Sequence, residues 1–441
     1  MYLARVLSVS GFGVLEFAAA VLTYFLLLAD SGLELLGTRE AAKTQDIRSL
    51  ASRLVPLRVL LASGAFGLLL LLLPLFPNGD GRLVLLLFSG TLFAQSVSLK
   101  WVFLGREQME RVAWGLVIAQ VLFAGAVFAL VRSPEGLLLV PVFRFASELG
   151  AAIYFAYCFH RTQGGIRFPL TLRGTREVMR PAIAIGVNQA MGLLNFNFDS
   201  VLLGFLRGAT VVGWYSAAYK PVTIALALPM TYFSGLFPAL SRTYAEDRKA
   251  FAELVGRSLQ ICFTFVVPLV VGATLLAEPV IHLLYGVAYD RSVLPFQILI
   301  WSAVLVIVRN TYAHSLTATG HQNLDLRCGI TSAACNVALN ILLIPRFGMV
   351  GAASATVTAD VVWNAMAYYY FRRAVLASPP PILWRGPVAA GALMASFLFL
   401  ATPVPWVPRA AIATLLYFTV LLLFPDTLVR SWLRSLRSSG A

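Results

Sequence analysis

Charge is what this sequence has least of: Asp, Glu, Lys and Arg together make up 54 of 441 residues, or 12%. A soluble domain carries about twice that density. Cysteine is equally sparse, and Cys158, Cys262, Cys328 and Cys335 form no Cys-x-x-Cys or Cys/His pattern, which leaves small apolar packing as their role. No stretch is biased enough to be a disordered tail or a repeat array. Apolar residues fill the chain at 59%, about 260 residues. Thirteen bilayer-spanning helices of about 20 residues need the same number. A soluble enzyme is excluded, and the composition describes an all-α polytopic membrane protein. The net charge of +14 does not point to nucleic acid, because the basic residues are scattered through short loops and form no stripe.

Thirteen apolar stretches lie near 13–30, 55–76, 83–104, 112–131, 137–159, 182–206, 211–234, 258–277, 293–316, 325–345, 348–371, 387–402 and 409–424. Each is expected to be a helix, since lipid cannot hydrogen-bond an open strand edge. The loops are lopsided in Lys and Arg: one alternate set, which includes the C-terminal tail, holds 22, and the other holds seven. The positive-inside rule makes the richer set cytoplasmic. Thirteen spans then place the N-terminus outside, although residues 1–11 show neither a cleavable signal pattern nor a charge cluster to explain its export. A helix missing upstream is therefore expected, through a late start codon or a lost first span. The charged loops 41–54 and 244–255 are expected as short interfacial helices. Trp101, Trp114, Trp214, Trp384, Trp406 and Trp432 lie near span ends and suit interfacial belts.

A charge near mid-bilayer costs about 2.5 to 3.5 kcal/mol on insertion scales, so each embedded one needs a partner, an aqueous cavity or a function. Arg58 and Lys100 lie close to cytoplasmic ends and can snorkel. Arg144, Lys220 and Arg309 are deeper. Arg144 and Glu148 stand at i and i+4 and can neutralise each other. Asn188, Gly192, Asn195 and Asp199 recur on one helical stripe, and Ser216, Lys220 and Thr223 on the next helix. Asp199 and Lys220 are thus candidates for an interhelical ion pair. Other polar faces carry Asn310, His314 and Thr317 beside Arg309, Asn336 with Asn340, and Thr356 with Asp360 and Asn364.

Converging stripes imply a wet cavity. With Arg144, Lys220 and Arg309 at depth, and Asn188 and Asn195 along its wall, that cavity suits an anion, because Arg can fork onto phosphate or pyrophosphate. The embedded acids Glu16, Glu148, Asp199 and Asp360 are candidates for H+ or Na+ coupling, with a counter-ion role equally open. No metal or organic cofactor is expected.

The stretch Phe12-Gly-Val-Leu-Glu-Phe-Ala-Ala19 opens one span much as Val212-Gly-Trp-Tyr-Ser-Ala-Ala-Tyr219 opens another 200 residues on, with Arg5 before the first and Arg207 before the second. If both are the second helix of a six-helix unit, the first unit lacks its first helix. Two units and two trailing helices would then make fourteen. Those segments, with Asp199-Ser-Val-Leu-Leu-Gly204, Leu236-Phe-Pro-Ala-Leu-Ser-Arg242 and Phe347-Gly-Met-Val-Gly-Ala-Ala-Ser-Ala355, carry a family resemblance. So do Ala4-Arg-Val-Leu7 and Leu28-Ala-Asp-Ser-Gly-Leu33. Over nearly its whole length the chain resembles the polysaccharide flippases, the O-antigen and exopolysaccharide transporters of the multidrug, oligosaccharidyl-lipid and polysaccharide exporter superfamily.

The resemblance implies two lobes forming a V around a central cavity. These are an N-terminal lobe at 1–165 without the family's first helix, a C-terminal lobe at 178–375, trailing helices at 385–426 and a cytoplasmic tail at 427–441. It implies alternating access that moves a polyprenyl-pyrophosphate-linked oligosaccharide, a lipopolysaccharide or exopolysaccharide repeat unit, to the outer leaflet of a bacterial inner membrane. The partners it implies are the bilayer, a glycan polymerase and chain-length machinery. Arg5 would face the cavity mouth, and Asp199 and Lys220 would act in the second lobe.

A cation-coupled drug exporter of the same superfamily should present a carboxylate-dominated cavity, whereas basic residues here equal or outnumber acids at depth. A membrane-embedded glycan polymerase needs a sizeable outer loop with catalytic carboxylates or arginines. The longest outer loop, about 278–292, offers Glu278, His282, Asp290 and Arg291 alone. No catalytic residues are expected.

Overall fold

In the computed structural model the described residues are 1–76, 79–165, 175–376 and 385–424, and no strand occurs among them. They fall into two compact units, one of Tyr2–Gly213 and one made almost wholly of Trp214–Ala441. The first unit holds α1 Tyr2–Val6, α2 Ser8–Asp30, α3 Leu33–Lys43, α4 Ile47–Leu72, α5 Asp80–Phe88, α6 Gly90–Ser96, α7 Lys100–Gly105, α8 Met109–Leu130, α9 Leu139–Gln163 and α10 Thr175–Arg207. The division falls in the second turn of α11 Ala209–Glu246. Then come α12 Arg248–Leu275, α13 Ala277–Tyr285, α14 Val293–Leu299, α15 Ser302–Ala318, α16 Gln322–Ala374, α17 Arg385–Leu400 and α18 Trp406–Leu423.

Every expected span falls mainly on helix, although 83–104 is broken into α5, α6 and α7 and 293–316 into α14 and α15. Eight helical stretches among the described residues are long and apolar enough to cross a membrane, so length and composition alone do not yield the count of thirteen. Outward faces are apolar where lipid would lie: on α8, Trp114, Leu116, Val117, Val121 and Phe128 are all exposed.

Two interfacial helices expected from charge patterning do not form as separate elements. In 41–54, Asp46 accepts a hydrogen bond from the Ser49 N–H at 3.0 Å and starts α4, which runs on into its span, while the residues before it end α3. In 244–255, Asp247 accepts from the Lys249 N–H at 2.7 Å and starts α12 one residue after α11 ends. A capping aspartate turned each loop into a tight corner. Trp101 is also not a belt residue. It is fully buried with Leu54, Phe103 and Phe155, its ring against Gly37. Trp114 is exposed as a belt residue would be, and Trp384 and Trp432 lie outside the described residues. All four cysteines are free.

The 53-residue α16 doubles back on itself. Ser332 Oγ donates to the Ala359 carbonyl at 2.8 Å, across 27 residues that would span about 40 Å in a straight helix. The reversal is at Gly348, whose φ of 55° and ψ of −130° only glycine adopts readily, three residues after Pro345. The expected spans 325–345 and 348–371 are its two antiparallel arms. In the same half of the chain, α17 and α18 pack on α12 through Met394, Leu398, Tyr417 and Leu421, and the Tyr417 hydroxyl donates to Thr264 O at 3.1 Å.

Within the first unit, Gly13 of α2 meets the start of α11. A Cβ on Gly13 would strike the backbone of Ala209 and Gly213, and one on Gly213 would strike the backbone of Val9 and Gly13. The two repeat-related glycines are thus each other's packing partner. Replacing Gly13 by Val should lower the thermal unfolding midpoint of the detergent-purified protein, at a cost of about 1 to 3 kcal/mol for overpacking. Gly64→Ala on α4, where a Cβ meets nothing within 4 Å, should leave it unchanged.

Candidate functional site

In the second unit, α15 and the two arms of α16 bring their polar stripes together. Arg309 Nη1 donates to Asp360 Oδ1 at 2.7 Å, and its guanidinium carbon lies 4.4 Å from the centre of the Trp363 ring. Both side chains are about nine-tenths buried, at 10% and 11% exposed. One turn on, Asn364 Nδ2 donates to the carbonyls of Leu305 at 2.9 Å and Asp360 at 2.8 Å. On the other arm, Asn340 Nδ2 donates to Asn336 Oδ1 at 2.9 Å. His314 Nδ1 lies 2.8 Å from the Asn310 carbonyl, with its ring stacked on Phe233 at 5.5 Å. Buried polar atoms are normally satisfied, yet Asn340 Oδ1 and Asn364 Oδ1 have no hydrogen-bond donor among the described residues.

The first unit contains an ionic cluster where the sequence suggested snorkelling. Arg58 is 3% exposed, lies 3.4 Å from Asp30 and 3.7 Å from Glu34, and donates to Ser98 O at 3.0 Å. Lys100 Nζ reaches Glu34 Oε1 at 2.7 Å. Asp30 also accepts from the Glu34 N–H at 3.0 Å across the α2–α3 turn. Both cations did lie near span ends. The signal that could have found the cluster is the pair Asp30 and Glu34, two acids bracketing a Ser-Gly turn at the same membrane level.

The remaining candidates are placed as follows. Arg144 pairs with Glu148 at 2.6 Å and lies 5.6 Å from the Phe123 ring centre. Arg5 is exposed at the end of α1, and Glu16 is half-buried on α2. Asp199 is 2% exposed and accepts from the Ser200 N–H at 2.7 Å. It belongs to the first unit, whereas Lys220, half-buried, belongs to the second. Asn188 and Asn195 lie on α10, with side chains outside the described residues.

Two solved membrane-transport proteins share this fold, each at 14% sequence identity. It matches the lipid II flippase MurJ in an inward closed conformation with a TM-score of 0.78, covering 96% of this chain and 94% of that one at 14% identity. An inward-facing multidrug resistance MATE family transporter matches with a TM-score of 0.67 over 84% of this chain and 93% of that one, also at 14% identity.

Residues 1–244, more than half of the chain, match the polysaccharide biosynthesis protein family, and the chain belongs to that family. "Probable flippase AglR" of Haloferax volcanii is 25% identical over 205 residues, 46% of this chain and 43% of its own length. "Putative O-antigen transporter" of Escherichia coli K12 is 22% identical over 384 residues, 84% and 91% of the two chains. Capsular polysaccharide biosynthesis protein CapF of Staphylococcus aureus is 23% identical over 201 residues, 45% and 50%. The chain thus spans about half the length of the first and third relatives and nine-tenths of the second. It is a multi-pass membrane protein.

Removing one member of a buried ion pair strands the other charge, at a cost of about 3 to 5 kcal/mol, whereas replacing both by apolar groups is often neutral. Asp360→Leu should therefore lower the thermal midpoint sharply, and the Arg309→Met, Asp360→Leu double variant should recover most of the loss. Equal destabilisation by the single and double variants would show that the two side chains do not act as a pair.

Proposed function

We propose that the protein flips a polyprenyl-pyrophosphate-linked oligosaccharide, an O-antigen or exopolysaccharide repeat unit, from the cytoplasmic to the outer leaflet by alternating access. The observation that carries this reading is the fold shared with a lipid II flippase along 96% of the chain, in a member of the polysaccharide biosynthesis family. The likeness to a drug exporter is lower in TM-score and coverage.

In this reading Arg309 is the group that meets the anionic substrate. Arg309 is satisfied by Asp360, so a pyrophosphate that engages the guanidinium competes with that carboxylate, and a proton or Na+ on Asp360 releases Arg309 to the substrate. Binding and ion coupling then meet in one pair. Arg5, Arg144, Lys220, Asn188 and Asn195 complete the substrate contacts in this reading, with Asp199, Glu148 and Glu16 as counter-ions or coupling groups. The loop asymmetry of 22 Lys and Arg against seven supports a cytoplasmic C-terminus, and the membrane in this reading is a bacterial inner membrane. Glycan polymerase and chain-length machinery would take up the product. No covalent step is assigned to any residue.

A strain deleted for this gene should accumulate lipid-linked repeat units on the cytoplasmic leaflet, and the gene restored in trans should clear them. Arg309→Gln should slow clearance by about ten-fold or more per molecule of protein in the membrane, the loss of one charge-assisted contact. A strain that accumulates nothing and becomes sensitive to cationic drugs would overturn the reading in favour of a drug exporter.

A further inference from the structure

The buried ionic clusters leave one group of titratable side chains unused. Glu278 and His282 stand one turn apart on the same face of α13, and Asp290 follows in the 3-10 turn Val287–Ser292. One donor atom from each lies within 4.8 Å of the others, and His282 Nε2 is 3.1 Å from Asp290 Oδ1. The bland account is a histidine–aspartate ion pair at the surface. It leaves Glu278 unexplained: two carboxylates converge on one imidazole, and among the described residues neither is ion-paired with a Lys or Arg. The nearest basic neighbour in sequence, Arg291, stacks on the Trp214 ring at 4.7 Å.

Two carboxylates and an imidazole converging in this way offer three donor atoms to a cation at the point where the side chains meet. The imidazole selects against Mg2+ and Ca2+, which prefer all-oxygen shells, and in favour of a first-row transition ion such as Zn2+. The backbone that carries the donors is already fixed. Tyr289 and Ser292 are buried at 1% and 0%, and Trp214 Nε1 donates to the Ala288 carbonyl at 3.0 Å. A metal would draw the three donors together by side-chain rotation alone and keep open coordination positions toward water, since the Asp290 side chain is 67% exposed.

We propose that Glu278, His282 and Asp290 form a binding site for a divalent transition-metal ion of the Zn2+ class. The test is calorimetric titration of the metal-stripped full-length protein with Zn2+, with Mg2+ as the control. One high-affinity equivalent should appear for Zn2+ and none for Mg2+, with a rise in the thermal midpoint. His282→Ala and, separately, Glu278→Gln should each weaken that equivalent by at least about ten-fold while the metal-free thermal midpoint stays at the wild-type value. Wild-type uptake by both variants would overturn the proposal, by assigning the zinc to another His or to the cysteines. So would the absence of any stoichiometric Zn2+ binding to the wild-type protein.

Discussion

A cation removed from water inside an apolar helix bundle has to be met by opposite charge, and the interior of this protein is arranged around that requirement. The buried Arg58 and Arg309 each have a carboxylate within 4 Å, supplied from within the same compact unit, and the more exposed Arg144 has Glu148. The matches fix the positions of helices as well as charges. Arg58 ties α4 to the α2–α3 corner and to the segment leading into α7, and Arg309 ties α15 to the second arm of α16. Because lipid offers neither water nor counter-ions, each pairing is also a register constraint. A one-residue slip in either partner would leave a bare charge in the bundle.

The all-helical architecture was legible because lipid permits few alternatives and because apolar runs of helix length are hard to hide. The Arg144–Glu148 pair was legible too, since i and i+4 meet on any helix. Arg309 and Asp360, 51 residues apart, could each be recognised as an embedded charge. Their pairing could not be read, because it depends on which helices are neighbours. The same limit explains Arg58: nearness to a span end says that a side chain can reach water, not that a carboxylate from another helix meets it first. Trp101 follows this pattern, its burial set by Gly37, a residue 64 positions away whose lack of a side chain makes the room.

The two similar helix starts show the same division between what a string contains and what a fold decides. Gly13 and Gly213 stand 200 residues apart in similar sequence contexts, and that likeness is visible as spacing. That the two glycines touch each other backbone to backbone is a property of the folded helices, and it explains why a side chain fits at neither. Close helix approach through small residues is how membrane helices associate in the absence of a hydrophobic driving force between them.

The reversal at Gly348 bears on how the protein is made. From Cys328 to Ala359 the only charged residue is Arg346, beside the turn itself. The two arms of α16 leave no hydrophilic loop to be threaded across the bilayer, only a corner bearing one guanidinium. A hairpin of this kind can partition from the insertion machinery into lipid as one piece, with the second arm entering as the first is released. The tightness of the corner makes the two arms one unit of insertion where a longer loop would make them two.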